Sequence, residues 1–348
     1  MAYTTINKSN LHMKVNLHSG TGSARNITGI GFQPDFTIVK RRDNTGVWYN
    51  TDIVRGAGKQ MYLNETGAMS GSASTTEITG FNSDGFNLGV DAGVNASGGT
   101  FVSYNFLANN TTGSSNTDGT ITSTVSANTT AGFSIVKWTG NSTSGATVGH
   151  GLGVVPKMII VKTTARAGNW VTYHHTLGAT KYLELNNTGA VGTSTAAWND
   201  TAPTSSVFSL GSWSNTNDNG YGMIAYCFAE KTGYSKFGSY IGNQNNDGTF
   251  VYLGFKPAFV MVKRSSDTGN WQMFDNKRIG YNPLNYFLYP NLNNAEDTSN
   301  SQWLDLHSNG FKLRNTGTDT NRSGHTYIYM AFAEAPLVGT NNVPCTAR

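Results

Sequence analysis

The chain predicts an all-β protein of three tandem antiparallel β-sandwich (jelly-roll-like) domains. Three observations lead there. First, one pattern is written three times: Pro34, Pro156 and Pro257 are each followed six residues on by Lys40, Lys162 and Lys263, and fourteen residues on by Trp48, Trp170 and Trp271. Near-equal spacing from the proline reaches a Phe-x-Leu at Phe86/Leu88, Phe208/Leu210 and Phe311/Leu313 (offsets 52, 52 and 54), and a closing aromatic segment at Phe106, Phe228 and Phe332 (offsets 72, 72 and 75). Recurrence over seventy residues marks repeated structural units. Second, apolar residues alternate in short runs rather than recurring at helical spacing. Third, glycine or asparagine interrupts nearly every ten-residue window, giving turn signals every eight to twelve residues, the mark of a sandwich.

Each element follows from its residues. His12–Leu17, Phe133–Trp138 and Ser235–Tyr240 read as opening strands. Phe36–Lys40, Met158–Lys162 and Phe259–Lys263 read as strands whose proline sits just before the first residue, where a missing N–H removes no ladder bond. Asn44-Thr45-Gly46, Ala167-Gly168-Asn169 and Asp267-Thr268-Gly269 read as turns leading into a tryptophan strand, closing a hairpin. Tyr62-Leu63, Tyr182-Leu183 and Phe287-Leu288 mark the next strand, and Phe101–Phe106, Gly222–Phe228 and Tyr327–Phe332 the last. The expected organisation is repeat 1 over 1–109, a Thr/Ser/Asn/Gly-rich linker or wrapping arm over 110–130, repeat 2 over 131–232, repeat 3 over 233–336, and a tail over 337–348 without strand pattern.

Composition narrows the function. The 348 residues carry a net charge of +4, and only 13% are charged, while 37% are hydrophobic and 11% aromatic. The low charge is replaced by amides and hydroxyls, and the apolar fraction excludes disorder. No basic block exceeds Lys40-Arg41-Arg42, which argues against nucleic-acid binding. Two cysteines, Cys227 and Cys345, are too few for a disulfide scaffold. No apolar run reaches the length of a membrane helix, and 1–10 lacks the apolar core of a signal peptide. Synthesis in a cytoplasm is the expectation.

The residues that carry chemistry do not recur. None of the six glutamates pairs with a second carboxylate at equal offsets in all three repeats, as glycosidic cleavage would require. His174-His175 is the most ligand-like pair, but neighbours on a strand point to opposite faces. There is no Gly-x-Ser-x-Gly elbow, and Gly149–Gly153 lacks the Lys-Ser/Thr ending of a phosphate loop. No catalytic residue, metal or cofactor is expected. Trp48, Trp170 and Trp271, like Pro34, Pro156 and Pro257, read as structural anchors, and Trp198 and Trp303 as core. Trp213, Tyr281 and Tyr289 do not recur and lie in Asn/Gly/Pro-rich loops, so they are the binding candidates. Lys40, Lys162 and Lys263 end their strands and read as guards against edge-to-edge pairing.

The motifs Gly31-Phe32-Gln33-Pro34-Asp35-Phe36 with Lys40, Arg55-Gly56-Ala57, Lys181-Tyr182-Leu183, Asp84-Gly85-Phe86 and Ala331-Phe332-Ala333-Glu334-Ala335-Pro336 resemble repeat-containing tail-fibre-like or virion structural proteins of tailed bacteriophages, especially those infecting marine bacteria and cyanobacteria. The resemblance covers nearly the whole chain and rests on structural motifs. It implies a virion protein without enzymatic activity, most simply a tail-fibre or host-facing appendage component that makes multivalent surface contacts. The alternatives are a capsid decoration or head-fibre protein, and a free carbohydrate-binding protein. The implied partners are further copies of itself, a trimer favoured, other virion proteins, and a host surface glycan or protein; neither nucleic acid nor membrane insertion is implied.

Overall fold

The computed structural model describes residues 4–299, 303–334, 337–338 and 344–345. It is an antiparallel β-sandwich protein in which one strand order occurs three times. In the first unit the larger sheet runs Met13–Ser19, Thr100–Phe106, Phe36–Arg41, Tyr49–Asp52, Met61–Tyr62. The second unit repeats it with Phe133–Thr139, Gly222–Phe228, Met158–Thr163, Val171–His174 and Lys181–Glu184, and the third with Ser235–Ile241, Thr326–Ala333, Pro257–Arg264 and Trp271–Asp275. The opening strand thus pairs with the closing strand, which pairs with the lysine strand, which forms the expected hairpin with the tryptophan strand. Registers agree: Phe36, Met158 and Phe259 lie opposite Phe106, Phe228 and Phe332. Pro34 and Pro156 precede their strands; Pro257 opens its own and is followed by a bulge.

Each larger sheet is covered on both faces. On one side lies a small sheet of the same unit: Arg25–Ile27, Gly85–Leu88 and Ile78–Asn82; then Ala146–Gly149 with Val207–Leu210; then Phe250–Tyr252, Gly310–Leu313 and Leu304–His307. Between the sheets of the first unit sit Val39, Phe86, Leu88 and Phe101. On the other side the three larger sheets face one another across a shared apolar core holding Phe36, Trp48, Tyr104, Phe133, Trp170, Tyr226, Phe259, Trp271 and Met330. At its centre the three closing phenylalanines meet edge-on: Phe106 lies 5.9 Å from Phe228 and 5.5 Å from Phe332, and Phe228 lies 6.2 Å from Phe332. That triangle marks a pseudo-threefold axis. An apolar cavity of about 40 Å³ beside it is lined by all three units. Burial on both faces explains why the lysine strands are buried almost without alternation.

Residues 110–130 are not a free linker. Ser114–Asn116 and Ser123–Asn128 extend the larger sheet of the second unit. Between them the chain covers the outer edge of that unit's small sheet, with Ile121 N–H bonded to Thr147 O at 3.0 Å and Ser123 Oγ to Gly149 O at 3.0 Å. The wrapping-arm alternative describes this segment. At the equivalent edges of the other units a lysine from the opening strand caps a carbonyl: Lys14 Nζ to Gly29 O at 2.5 Å and Lys236 Nζ to Tyr252 O at 3.1 Å. In the tail, Leu337–Val338 pairs with Pro344–Cys345 although no strand was expected there; the rest of the tail lies outside the described residues.

Candidate functional site: unit junctions and the outer face of the third unit

The recurring tryptophans and lysines are consumed at the junctions between units. Trp48 Nε1–H donates to Tyr289 O at 2.9 Å and Leu292 O at 3.1 Å. Trp170 Nε1–H donates to Tyr62 O at 3.0 Å, and Trp271 Nε1–H to Glu184 O at 3.0 Å. The first unit therefore grips the third, the second grips the first, and the third grips the second. This is a head-to-tail interface that closes after three steps, the arithmetic of a cyclic trimer carried by one chain.

The lysines follow the same rule, which corrects their reading as edge guards. Lys40, Lys162 and Lys263 are fully buried. Their Nζ atoms donate across the junctions to Asn293 O at 3.3 Å, Thr66 O at 2.8 Å and Thr188 O at 3.3 Å. Desolvation lowers all three to about 8. None of the turn glycines has a positive φ, and at Gly168 and Gly269, though not at Gly46, the glycine serves close approach. The N–H groups of Gly46, Gly168 and Gly269 bond to the same carbonyls of Asn293, Thr66 and Thr188. A Cβ on Gly168 would lie 2.7 Å from Thr163 and Asn215 atoms.

Two junctions also hold a buried ionic triad. Between the first and second units, Asp52 accepts from Arg55 and from the Tyr226 hydroxyl at 2.7 Å. Between the third and first, Asp275 accepts from Arg278 at 2.6 Å and from the Tyr104 hydroxyl at 3.0 Å. Burial raises both tyrosines well above their ordinary value. At the remaining junction the equivalent positions are His174, Leu177 and Met330: the acid, the base and the hydroxyl are absent together. His174 instead reaches Tyr329 O at 3.2 Å, and His175 reaches Phe237 O at 3.0 Å. The two rings are thus neighbours 5.2 Å apart facing the third unit, not on opposite faces, because the strand ends at His174. Burial lowers His174 to about 3. The first–third junction, which no direct chain connection enforces, has an additional clamp: Glu296 accepts from Arg42 at 3.1 and 2.8 Å and from Arg278 at 3.2 Å.

Sequence matching of the Tyr-Leu segments is two residues out of register in one repeat. Strand pairing makes Met61, Leu183 and Leu288 equivalent, and hence Tyr62, Glu184 and Tyr289. Tyr289 is therefore a junction residue whose carbonyl caps Trp48; its hydroxyl donates to Asp297 at 3.2 Å. Trp213 is half-buried at the start of the turn Ser214–Asn217, with its ring 4.9 Å from that of Tyr182. Tyr281 is 69% exposed. The three binding candidates thus lie in three different places. A repeated buried asparagine escaped the sequence reading: Asn95, Asn217 and Asn321 each close a helical turn and donate to the carbonyls of Gly89, Gly211 and Asn315 at 2.8, 2.9 and 2.7 Å.

Trp303 is not core. It is half-buried and, with Asn246, Asn282, Pro283, Asp305 and Arg314, lines an open groove of about 340 Å³ on the outer side of the third unit. Trp198, one position further in the repeat, is the buried counterpart of Ile78 and Leu304. No group of three or more His, Cys, Asp or Glu side chains that could hold a metal occurs among the described residues. Nor is any helix among them long and apolar enough to cross a membrane. Cys227 is buried among apolar neighbours, and burial pushes its thiol up.

Fold and junctions define the class: a sandwich protein whose three like units share one core. Residues 8–336 match a family described as a domain of unknown function (DUF7483), and the chain belongs to that family. The match runs through all three units. No curated protein and no solved structure matches the chain.

Proposed function

We propose that the protein is a non-enzymatic structural component of a tailed-bacteriophage particle, in a tail fibre or another host-facing appendage. One observation carries this reading. The tryptophans, lysines and turn glycines that recur in every unit all hold the units together. A repeated catalytic or binding site would place recurring residues in a shared cleft instead. The sequence resemblance points the same way, and the amide- and hydroxyl-rich surface suits a protein exposed on a particle.

The ring refines how contact would be made. The outer faces differ: the second unit's edge lies under 110–128, whereas the third presents charged and aromatic side chains. Attachment is therefore assigned to distinct surfaces of a rigid body rather than to three equal sites on a string, and avidity comes from copies on the particle. Three units in one chain already supply the threefold arrangement expected of a trimer, so further self-association is a separate matter. Quantitative mass spectrometry and antibody-gold labelling of purified particles test the proposal. A few dozen copies or fewer at the tail support it; hundreds of copies on the head favour the decoration reading. Absence from particles, or robust polysaccharide hydrolysis by the pure protein, contradicts it.

A further inference from the structure

The groove on the third unit lies where that unit departs from the other two. Arg314, Gly89 and Gly211 each directly follow the Phe-x-Leu strand and donate their backbone N–H to the segment packed beside it, at Trp303 O (3.0 Å), Glu77 O (2.8 Å) and Ala197 O (3.2 Å). One residue further on, Asn315 supplies the carbonyl that caps Asn321, as Gly89 and Gly211 do for Asn95 and Asn217. In the first two units that position must be glycine. A Cβ on Gly89 would lie 2.4 Å from Thr76 backbone atoms, and one on Gly211 would lie 2.3 Å from Ala196 O. There the chain passes directly over the bend at Thr76 and over the helical turn Thr195–Trp198. In the third unit one residue is inserted between Leu313 and Asn321 relative to Leu88–Asn95 and Leu210–Asn217, and Arg314 lines the groove together with Trp303.

The groove is held in place. The Asn282 carboxamide is fixed by two bonds to Leu306, donating to its carbonyl at 2.9 Å and accepting from its N–H at 2.8 Å. Arg314 lies 3.3 Å from Asp305 and 3.4 Å from Asp247, and Lys312 lies 2.5 Å from Asp247. Two acids and two bases therefore neutralise each other, leaving no spare charge for a phosphate or carboxylate. The remaining lining is an indole, a proline ring and two primary amides. The volume falls at the small end of the range for small-ligand clefts, about 300–1,000 Å³.

We propose that this groove binds a neutral saccharide. An indole wall offers apolar area to the C–H face of a sugar ring. Paired carboxylate and guanidinium groups offer acceptors and donors to vicinal hydroxyls, with charge-assisted strength. The fixed amide adds directional selection. This identifies the ligand class for one surface of the contact protein proposed above and rests on that reading only for its biological setting.

The test is a glycan array of neutral and acidic oligosaccharides probed with the full chain, followed by calorimetric titration of the best neutral binder. Trp303→Ala and Arg314→Gly, the latter copying the residue of the other two units, are each expected to weaken binding at least tenfold. Their thermal unfolding is compared with that of the parent chain, and the glycine variant serves where the alanine variant folds poorly. Millimolar or tighter binding of a neutral sugar that both variants lose supports the assignment. Absence of neutral-sugar binding, preference for acidic sugars, or binding untouched by both variants overturns it. Sugar binding by a protein absent from phage particles leaves the groove assigned and removes only the virion setting.

Discussion

Asp52→Asn is the sharpest perturbation of a junction. The Asp52 carboxylate is fully buried and accepts four bonds: from Val54 N–H at 2.9 Å, Arg55 N–H at 2.7 Å, the Arg55 side chain and the Tyr226 hydroxyl at 2.7 Å. Arg55 keeps Asn50 Oδ1 at 2.8 Å and Lys59 O at 3.1 Å, but these are neutral acceptors. Removing the acid strands a buried guanidinium charge, a loss of about 3–5 kcal/mol. Tyr226→Phe removes one bond to a charged group and is expected to cost about 1.5–3 kcal/mol. The molecule contains its own control. His174, Leu177 and Met330 occupy the same positions at another junction with no ion pair at all. The combined variant Asp52→His, Arg55→Leu, Tyr226→Met therefore removes both charges together and is expected to cost less than Asp52→Asn alone. Guanidinium denaturation at neutral pH, with slopes compared across variants, measures all three. A loss below about 1 kcal/mol for Asp52→Asn, or a combined variant worse than the single one, refutes the reasoning.

Other perturbations follow from the same geometry. The native lysines titrate at about 8 and their unfolded counterparts at 10.5. Native protons therefore leave first, and stability should rise with pH across that window by up to about 1.4 kcal/mol per pH unit per lysine. Above pH 10 the rise should reverse, because Tyr104 and Tyr226 hold their protons in the native state alone. Lys162→Met should flatten the rise, as read by denaturation at several pH values. Trp170→Phe empties the bond to Tyr62 O and part of a packed site; a loss of about 2–4 kcal/mol is expected by the same assay. Glu296→Gln leaves Arg42 and Arg278 facing a neutral amide and should speed hydrogen exchange at the first–third junction before elsewhere. Lys14→Ser with Lys236→Ser unguards two sheet edges and should raise aggregation in light scattering without changing the unfolding midpoint by more than a degree or two.

Much of the fold was legible in the residues. Phe36–Lys40, Met158–Lys162 and Phe259–Lys263 named the central strands, and the tryptophan spacing named their hairpin partners. The shared core was not legible. A run such as Met-Ile-Ile-Val-Lys states that both faces are covered but not by what, and the lysine at its end imitates a solvent-facing terminus. Only the carbonyls of Thr66, Thr188 and Asn293 reveal why a cation is buried there, and they belong to the neighbouring unit. The repeated asparagines at 95, 217 and 321 were available at matching offsets but lay in polar segments that resemble ordinary turns. The groove was hidden by a one-residue distinction: Trp198 and Trp303 look alike in sequence, yet one sits at the buried position equivalent to Ile78 and Leu304 and the other just before it. The change from Gly89 and Gly211 to Arg314 was the signal that could have separated them.

Differential scanning calorimetry of the full chain tests the central claim most directly. Three units that share one aromatic core and close into a ring should melt as a single cooperative body, with van't Hoff and calorimetric enthalpies in a ratio near one. Independent beads on a string would instead give a ratio near one third or resolved successive transitions, and that result would contradict the ring.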